Sequence, residues 1–367
     1  MAIHIQDFCI EGFRGIRELN AENINHVNLI VGDNNCGKTS VLEALLLLQN
    51  PEDISNMFRV ARQRDNNGVF NRSTIYEGVI NLFPKDSEEA FLRVLAHIDG
   101  RELEYFISGK HNRIFLEEAD LHPRFSLYPY SNRKDIPSEA EAFTGQIKYR
   151  IGDLYETRSV VVHEFSKISG MGVEGRKLLN MVYLSPVDHM RGNLINRIVR
   201  SDGYKEICIR VLQLFDPDIT DLLVLKNELT NRPVEYIQHR RLGNMPVSTY
   251  GDGIKKVLLL ANAIVQAAHG VLLIDEVETA IHTKYYDDIF RFLLKACKQY
   301  EIQLFITTHN LEALDALLEA QDYDKQKNSD DITVLTLKRL EKRTAARILP
   351  GREVSRDRES FDFEVRL

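Results

Sequence analysis

Eight residues, GDNNCGKT at positions 32–39, constrain the fold more than any other part of this sequence. They match the pattern G-x-x-x-x-G-K-[ST] in full. An apolar run, Asn25 to Val31, precedes them, and an amphipathic stretch, Ser40 to Leu48, follows them. A buried strand, a glycine-containing turn and a helix in this order predict a phosphate-binding loop at the edge of an α/β sheet.

The residues of this loop suit phosphate binding one by one. Glycine lets the backbone curl, so that several N–H groups can point at phosphate oxygens. Lys38 would bring a positive charge to the β- and γ-phosphates of a nucleotide, and Thr39 would offer its hydroxyl to Mg²⁺. The predicted nucleotide-binding residues here are Gly32, Asp33, Asn34, Asn35, Cys36, Gly37, Lys38, Thr39 and Ser40.

A second informative stretch runs from Pro246 to His282. Its turn STYGDG, at positions 248–253, is followed by an amphipathic helix. This helix is expected to end near Gly270, because glycine is common just after a helix C-terminus. The next four residues, VLLI, read as a strand buried in a parallel sheet, and Asp275 and Glu276 follow it directly. Because open α/β sheets bind ligands at the carboxyl ends of their strands, we expect both acids near the phosphate loop.

A third strand, Ile302 to Ile306, ends in Thr307, Thr308 and His309. A single histidine is more often structural than catalytic. Its position at the carboxyl end of a buried strand nevertheless favours a catalytic role for His309, because it can reach the edge that carries Asp275 and Glu276.

Residues 51–180 have a different character. Asp99-Gly100 and Gly152-Asp153 each separate two strand-like runs, which predicts two β-hairpins, and residues 121–138 read as a long loop with three prolines. No heptad pattern persists, which argues against a coiled coil. We therefore predict an α/β domain formed by residues 1–50 and 181–350, a β-rich insertion at 51–180, and a loose, charged tail at 351–367.

Three other patterns are interpreted as turns or loops. Residues 170–175 fit G-x-G-x-x-G, but no clear βαβ unit surrounds them. Residues 132–135, NRKD, lack the order Asn-Lys-x-Asp, so nothing supports GTP specificity. Asp216-Pro217-Asp218 has the spacing of a metal-binding pair, but the proline between the two acids favours a turn.

Composition limits the kinds of partner and cellular location that this protein can have. The net charge is −7 and the isoelectric point about 5.9, so contact with nucleic acid would need a local basic patch. Four scattered cysteines without a CxxC pair fit a reduced, cytoplasmic protein. The uncharged stretch from Val257 to Ile274 contains polar residues and divides into a helix and a strand, so no membrane segment is expected.

Together these segments resemble the ABC-class ATPases, and more narrowly the RecF/SMC-like ATPases of the OLD (overcoming lysogenization defect) group. The resemblance covers about residues 1–50 and 180–320. It is carried by IEGFR at positions 10–14, GDNNCGKTSVLEAL at 32–45, the Gly251-Asp252-Gly253 turn, and IDEVETAIH at 274–282. It implies an α/β fold of the P-loop NTPase type, as in ABC and SMC heads, with a β-rich insertion.

The resemblance also implies roles for the site residues. Asp275 would be the Walker B acid that holds Mg²⁺ with Thr39, Glu276 would polarise the attacking water, and His309 would be the switch histidine. The turn containing Ser248, Gly251 and Gly253 would take the place of the ABC signature, although it matches LSGGQ only loosely, and no Q-loop glutamine can be assigned. Because a signature binds the γ-phosphate held by the opposite subunit, the resemblance implies a homodimer, or a higher oligomer, closed by ATP.

No coiled-coil arms and no TOPRIM nuclease domain can be recognised in the sequence. The resemblance therefore points to a separate effector, such as a nuclease, in bacterial anti-phage defence. An alternative is a RecF-like DNA-binding ATPase of DNA repair, with candidate basic patches at Arg59, Arg62 and Arg64 and at residues 239–241. A transporter subunit with a membrane partner is a third possibility, against which the RecF-like start argues.

Overall fold

The computed structural model of the chain describes residues 3–64, 74–85, 89–116, 139–166, 177–191, 194–227, 231–321, 330–340 and 343–361. The strands in these ranges are β1 (Ile5–Phe13), β2 (Ile16–Ala21), β3 (Val27–Gly32), β4 (Ala90–Ile98), β5 (Arg101–Phe115), β6 (Glu139–Ile151), β7 (Leu154–His163), β8 (Met181–Leu184), β9 (Ile219–Lys226), β10 (Pro233–His239), β11 (Gly243–Pro246), β12 (Val271–Ile274), β13 (Gln303–Thr307), β14 (Ile332–Arg339) and β15 (Thr344–Pro350). The α-helices are α1 (Lys38–Leu47), α2 (Ile54–Ala61), α3 (Ile75–Ile80), α4 (Asp202–Leu212), α5 (Asp252–Gln266), α6 (Tyr286–Gln299), α7 (Leu311–Glu319) and α8 (Gly351–Phe361).

The strands that carry the predicted site residues form one sheet, in the order β15-β14-β3-β13-β12-β8. All neighbours pair in parallel except β14 and β15, which form a hairpin. Strands β3, β12 and β13 are buried along their whole length, as expected for parallel strands covered on both faces. One hydrophobic core lies between this sheet and α1, and the other packs α4, α5, α6 and α7 against its opposite face.

A second six-stranded sheet is antiparallel, in the order β2-β1-β4-β5-β6-β7. The two predicted hairpins are confirmed: β4 pairs with β5 around Asp99-Gly100, and β6 pairs with β7 around Gly152-Asp153. The strands of residues 51–180 continue the sheet begun by β1 and β2, since β4 pairs directly with β1. Helices α2 and α3, which sequence patterns did not indicate, also fall within 51–180. The division of the chain at 51 and 181 stays a prediction.

A three-stranded antiparallel sheet, β11-β10-β9, leads the chain into α5. Strand β11 is followed by a short 3-10 turn, Val247–Thr249, and Gly251 caps the N-terminus of α5. This order places the STYGDG turn at the exposed beginning of a long, buried helix.

The prediction of a loose tail is wrong for residues 351–361, which form α8. Val354 is fully buried in the core that covers α5, α6 and α7. Arg358 donates through Nη2 to the Asp315 carboxylate on α7 at 2.7 Å. The residues that anchor this helix are spaced four apart, so they lie on one face of it, and the charge-rich composition concealed them.

Three predicted features, at residues 121–138, 132–135 and 170–175, lie outside the described ranges. Within those ranges, no helix is both long and apolar enough to cross a membrane. The uncharged stretch from Val257 to Ile274 divides, as predicted, between α5 and β12.

Candidate functional site

The phosphate loop connects β3 to α1 at the carboxyl edge of the parallel sheet. Gly32 and Gly37 have positive φ angles, 143° and 107°. A Cβ atom on Gly32 would lie 2.3 Å from the carbonyl oxygen of Leu337, on the neighbouring strand β14. Glycine is required at Gly32 for both reasons, because other residues strain at this backbone angle and no space is left for a side chain.

Lys38 lies inside this loop and is only 9% exposed. Its Nζ donates hydrogen bonds to the carbonyl oxygens of Gly32 at 2.7 Å and Asp33 at 2.9 Å. No side chain caps the N-terminus of α1, which leaves the N–H groups of its first turn available to an anion. An ammonium group and a helix N-terminus side by side fit the phosphates of a nucleotide. The crown of the loop, Asp33–Asn35, is exposed, whereas Cys36 and Ser40 are buried.

Asp275 joins the phosphate loop to the carboxyl ends of two other strands. Its carboxylate accepts a hydrogen bond from the Thr39 hydroxyl, at 3.0 and 3.1 Å to its two oxygens. It also accepts one from the Thr307 hydroxyl at 2.6 Å and one from the Tyr183 phenol at 3.4 Å. Asp275 is 4% exposed, and this set of hydroxyls partly compensates the burial of its charge.

Burial and the neighbouring Asp275 carboxylate raise the pKa of Tyr183 far above its usual range. The phenol therefore remains a neutral hydrogen-bond donor across the physiological pH range. Carboxylate and hydroxyl oxygens are the ligand types that Mg²⁺ prefers, so Asp275 and Thr39 fit a magnesium ion bound beside phosphates.

Glu276, the next residue, differs from Asp275 in exposure and backbone. Its side chain is 42% exposed, and its φ angle is 46°, in the left-handed region. Its N–H donates to the Thr307 hydroxyl at 2.8 Å. Thr307 therefore contacts both acids, Asp275 by donating and Glu276 by accepting. A positive φ at a non-glycine residue costs free energy, which the surrounding hydrogen bonds offset.

His309 lies beside Glu276 but is held by a third acid, Glu278. Its Nδ1 is 2.9 Å from Glu278 Oε1 and 4.0 Å from Glu276 Oε1. Its backbone N–H donates to the same Glu278 oxygen at 3.0 Å. Glu278 is 7% exposed and His309 is 51% exposed, so a buried carboxylate orients a ring whose other half faces solvent.

Sequence reasoning missed the roles of Glu278 and Thr307. The signals were present: Glu278 is the third acid of IDEVE, and Thr307 is the last residue of the strand that precedes His309. A third missed residue is Glu43, a fully buried acid on α1 that pairs with Arg14 at 3.0 Å and Arg64 at 2.8 Å. Two guanidinium groups around one buried carboxylate leave an excess positive charge close to the phosphate loop.

Acids pair with several arginines of the candidate basic patches. Arg64 binds Glu43 and also donates to the Ser40 hydroxyl at 3.0 Å, and Arg59 pairs with Asp53 at 3.2 Å. In the other patch Asp218 accepts from Arg241 at 2.8 Å. These contacts weaken the case for a DNA-binding surface at either place.

Asp216, Asp218 and His239 come close enough together to suggest a cation site. However, the backbone N–H of Asp218 donates to Asp216 Oδ1 at 3.1 Å, as in the predicted turn. His239 Nδ1 accepts two backbone N–H groups at 3.1 Å, and its Nε2 lies 3.3 Å from Asp216. With the Arg241 guanidinium also on Asp218, the cluster is satisfied as a structural turn.

The STYGDG turn lies apart from these contacts. Ser248 and Gly251 are exposed, Gly253 lies in the first turn of α5, and no side chain caps that helix. Among the described residues, no hydrogen bond or ion pair joins this turn to the phosphate loop of the same chain. The structure thus brings together Lys38, Thr39 and the acids near Asp275, but not the turn.

Fold and site together define an α/β P-loop nucleoside triphosphatase. Residues 27–315 match the family described as "AAA domain, putative AbiEii toxin, Type IV TA system". The match spans well over half of the chain, so the protein belongs to this AAA-domain family and is an ATPase.

A curated relative that matches most of this chain agrees with this assignment. An "ATP/GTP phosphatase" of Helicobacter pylori is 22% identical over 357 residues, covering 88% of this chain and 90% of the relative. An uncharacterised protein of Methanocaldococcus jannaschii, MJECL10, is 40% identical over 90 residues, which cover 23% of this chain and 38% of the relative.

Solved structures confirm the predicted fold class. An SMC head bound to the C-winged helix domain of ScpA superposes with a TM-score of 0.53 at 11% identity, covering 96% of this chain and all of that chain. The SMC head of Pyrococcus furiosus, with an extended coiled coil and bound to the C-terminal domain of ScpA, gives a TM-score of 0.51 at 9% identity, covering 98% and 100%. At this identity the likeness concerns the fold alone.

Proposed function

We propose that this ATPase acts as a homodimer that encloses two ATP molecules between its subunits. The phosphate loop of one chain would hold each ATP, and Ser248, Gly251 and Gly253 of the other chain would cover its γ-phosphate. The exposed, uncapped N-terminus of α5 supports this arrangement. Its N–H groups have no side-chain cap in their own chain and suit an anion presented from outside.

Within one chain, the contact of Thr39 and Thr307 with Asp275 is the observation that carries the proposed chemistry. It joins the phosphate loop to the strand ends that bear Glu276 and His309. Lys38 would leave the loop carbonyls for the β- and γ-phosphate oxygens, because charged phosphates attract it more strongly. The exposed Glu276 carboxylate would accept the proton of the attacking water, and His309 would contact the γ-phosphate.

Thr39 and Asp275 would hold Mg²⁺, whose charge neutralises the phosphate oxygens. The protein's own part is to orient water and phosphate: Glu276 is displaced from the buried Asp275 by its left-handed backbone, and Thr307 fixes that backbone. Asp275 and Glu276 are thus adjacent in sequence but serve separate purposes, one as a ligand and one as a base.

The base is tested by Glu276→Gln, which keeps the shape of the side chain but removes its ability to take a proton. We expect kcat for phosphate release to fall by about 10²–10⁴-fold, with ATP binding retained. ATP-bound dimers should then accumulate, as measured by light scattering after size exclusion.

Glu301→Gln is a matched control, because Glu301 is also an exposed glutamate with a positive φ angle, 54°, but pairs with His269 far along the chain. It should hydrolyse ATP at the wild-type rate. Normal turnover by Glu276→Gln would exclude Glu276 as the base.

We further propose, from the resemblance to OLD and RecF-like ATPases, that the dimer acts in the cytoplasm on a separate effector protein such as a nuclease, in anti-phage defence. The exposed turn at α5 would then change partners as ATP is hydrolysed, and the effector would respond to that change. A nuclease that co-purifies with the protein only when ATP is present would support this role, provided that the association is retained in Glu276→Gln and lost in Lys38→Ala. DNA is not proposed as a ligand, since the candidate patches are paired with acids.

A further inference from the structure

Lys256 is a fully buried lysine that the site described so far does not use. Its Nζ has no hydrogen-bond partner among the described residues. A buried ammonium without a partner is costly, and lysine is seldom tolerated in this state. Its presence in the second turn of α5 therefore calls for a function.

The face of α5 that carries Lys256 packs against the turn after β12. A Cβ atom on Gly253 would lie 3.3 Å from the carbonyl oxygen of Ala280, so the first turn of α5 touches this segment. Lys256 is three residues further along and lies on the same face of the helix. Of the carboxylates around it, Glu278 attracts its ammonium most strongly.

Two more buried polar atoms that have no hydrogen-bond partner in the described part of the chain belong to side chains that interact electrostatically with Lys256. One is Glu278 Oε2, the oxygen that does not bind His309. The other is His189 Nε2, on a 3-10 turn after β8, and Lys256 is the charge that acts most strongly on this ring. A lysine with one such group on either side would suit a buried water, which commonly makes about three hydrogen bonds to buried polar groups.

We infer that Lys256 is a positioning residue that holds the Glu278 carboxylate, through bound water, in the orientation that fixes His309. Glu278 contacts His309 directly, and Lys256, on the first turns of α5, acts on Glu278 through its charge and the proposed water. A shift of α5, caused by the γ-phosphate of the second chain, therefore moves the histidine at the chain's own ATP. This inference rests on the proposed dimer, and it makes hydrolysis at one site depend on occupancy of the other.

The test compares steady-state ATP hydrolysis by wild type, Lys256→Met, Glu278→Gln and the double variant. Methionine keeps most of the length of the lysine stem but removes the charge. We expect Lys256→Met to lower kcat by about 10- to 100-fold, as loss of a residue that orients a reacting group does, with KM for ATP changed less than about threefold. In the Glu278→Gln background the same substitution should change kcat by less than about twofold.

Lys298→Met serves as the control, because Lys298 is an exposed lysine near the end of α6 that lies 3.7 Å from Asp331. It should leave kcat and cooperativity unchanged. Lys256→Met should also be at least as heat-stable as wild type, because an unpaired buried charge has been removed.

Three outcomes contradict the inference. The first is a wild-type kcat for Lys256→Met. The second is a double variant whose fold-decrease in kcat equals the product of the fold-decreases of Lys256→Met and Glu278→Gln. The third is a marked fall in the melting temperature of Lys256→Met, which would make the lysine structural. Failure of the proposed function is distinguishable, because the Glu276→Gln protein would then show no ATP-dependent dimer.

Discussion

At the scale of single residues, the site depends on acids that are close in sequence but differ in environment. Asp275 is buried among hydroxyls, Glu276 is partly exposed with a strained backbone, and Glu278 is buried against His309. A short sequence pattern cannot distinguish these three acids, since all of them follow the same strand. The left-handed angle at Glu276 separates them, because it turns successive side chains in different directions.

The pKa of Lys256 gives a residue-scale prediction. Burial lowers it from 10.5 to about 8, against the opposing attraction of nearby carboxylates. The acidic groups that face it are Glu278, Asp188, Asp275 and Glu276. Because the folded state then binds fewer protons than the unfolded state between about pH 8 and 10.5, this group adds stability as pH rises through that window. The destabilisation below pH 8 is about 3 kcal/mol.

We therefore expect Lys256→Met to be more stable than wild type at pH 7, and this advantage to shrink by about 2 kcal/mol by pH 9.5. Urea unfolding of both proteins at each pH measures the difference between their free energies of unfolding. The titration of other groups cancels in this difference, because both proteins contain them. Lys298→Met should give a difference that does not change with pH. A constant advantage for Lys256→Met would show that Lys256 is protonated throughout this range.

At the scale of elements, the sequence predicted most of the parallel sheet and the phosphate loop. Strands β3, β8, β12 and β13 are continuous apolar runs, and such runs bounded by turn residues are the clearest signal that a buried strand gives. The Glu43 cluster and the burial of Lys256 near Glu278 could not be predicted, because they depend on segments that are separated in the chain. Such contacts depend on how helices pack, which local patterns do not encode.

Helix α8 shows the same limit in another way. Its composition is strongly charged, and among its described side chains Val354 is the hydrophobic one buried in the core. Val354 and the ion pair between Arg358 and Asp315 anchor this helix, although its sequence predicted a loose tail.

The contribution of this helix can be measured. Val354→Ala should lower the free energy of unfolding by about 2 kcal/mol, because it removes two buried methyl groups and leaves a cavity. Val161→Ala is the control, since Val161 lies on β7 with half of its surface exposed, and should change stability by less than about 0.5 kcal/mol. Equal effects of the two substitutions in urea unfolding would mean that α8 does not dock on the core.

At the scale of the whole molecule, the proposed dimer requires that the surface around Ser248 lie in the subunit interface. This residue is exposed and would face the γ-phosphate of a second subunit. Ser248→Arg should therefore prevent ATP-dependent dimerisation of the Glu276→Gln protein, while binding of a fluorescent ATP analogue to the monomer stays within about threefold of normal.

Ser159→Arg provides the matched control, because Ser159 is also an exposed serine but lies on β7, at the edge of the antiparallel sheet. It should dimerise normally when measured by light scattering. If Ser248→Arg also dimerises with ATP, the turn at α5 is not in the interface, and the signature-like role of Gly251 and Gly253 would have to be abandoned.

The position of β3 has a consequence for synthesis of the protein. This strand bears the phosphate loop, yet it lies between β13 and β14, and Leu337 on β14 backs directly onto Gly32. A ribosome therefore makes the loop early and its two supporting strands some 270 to 300 residues later. Until then β3 lacks both of its partner strands, so we expect a chain that ends before β13 to bind no nucleotide.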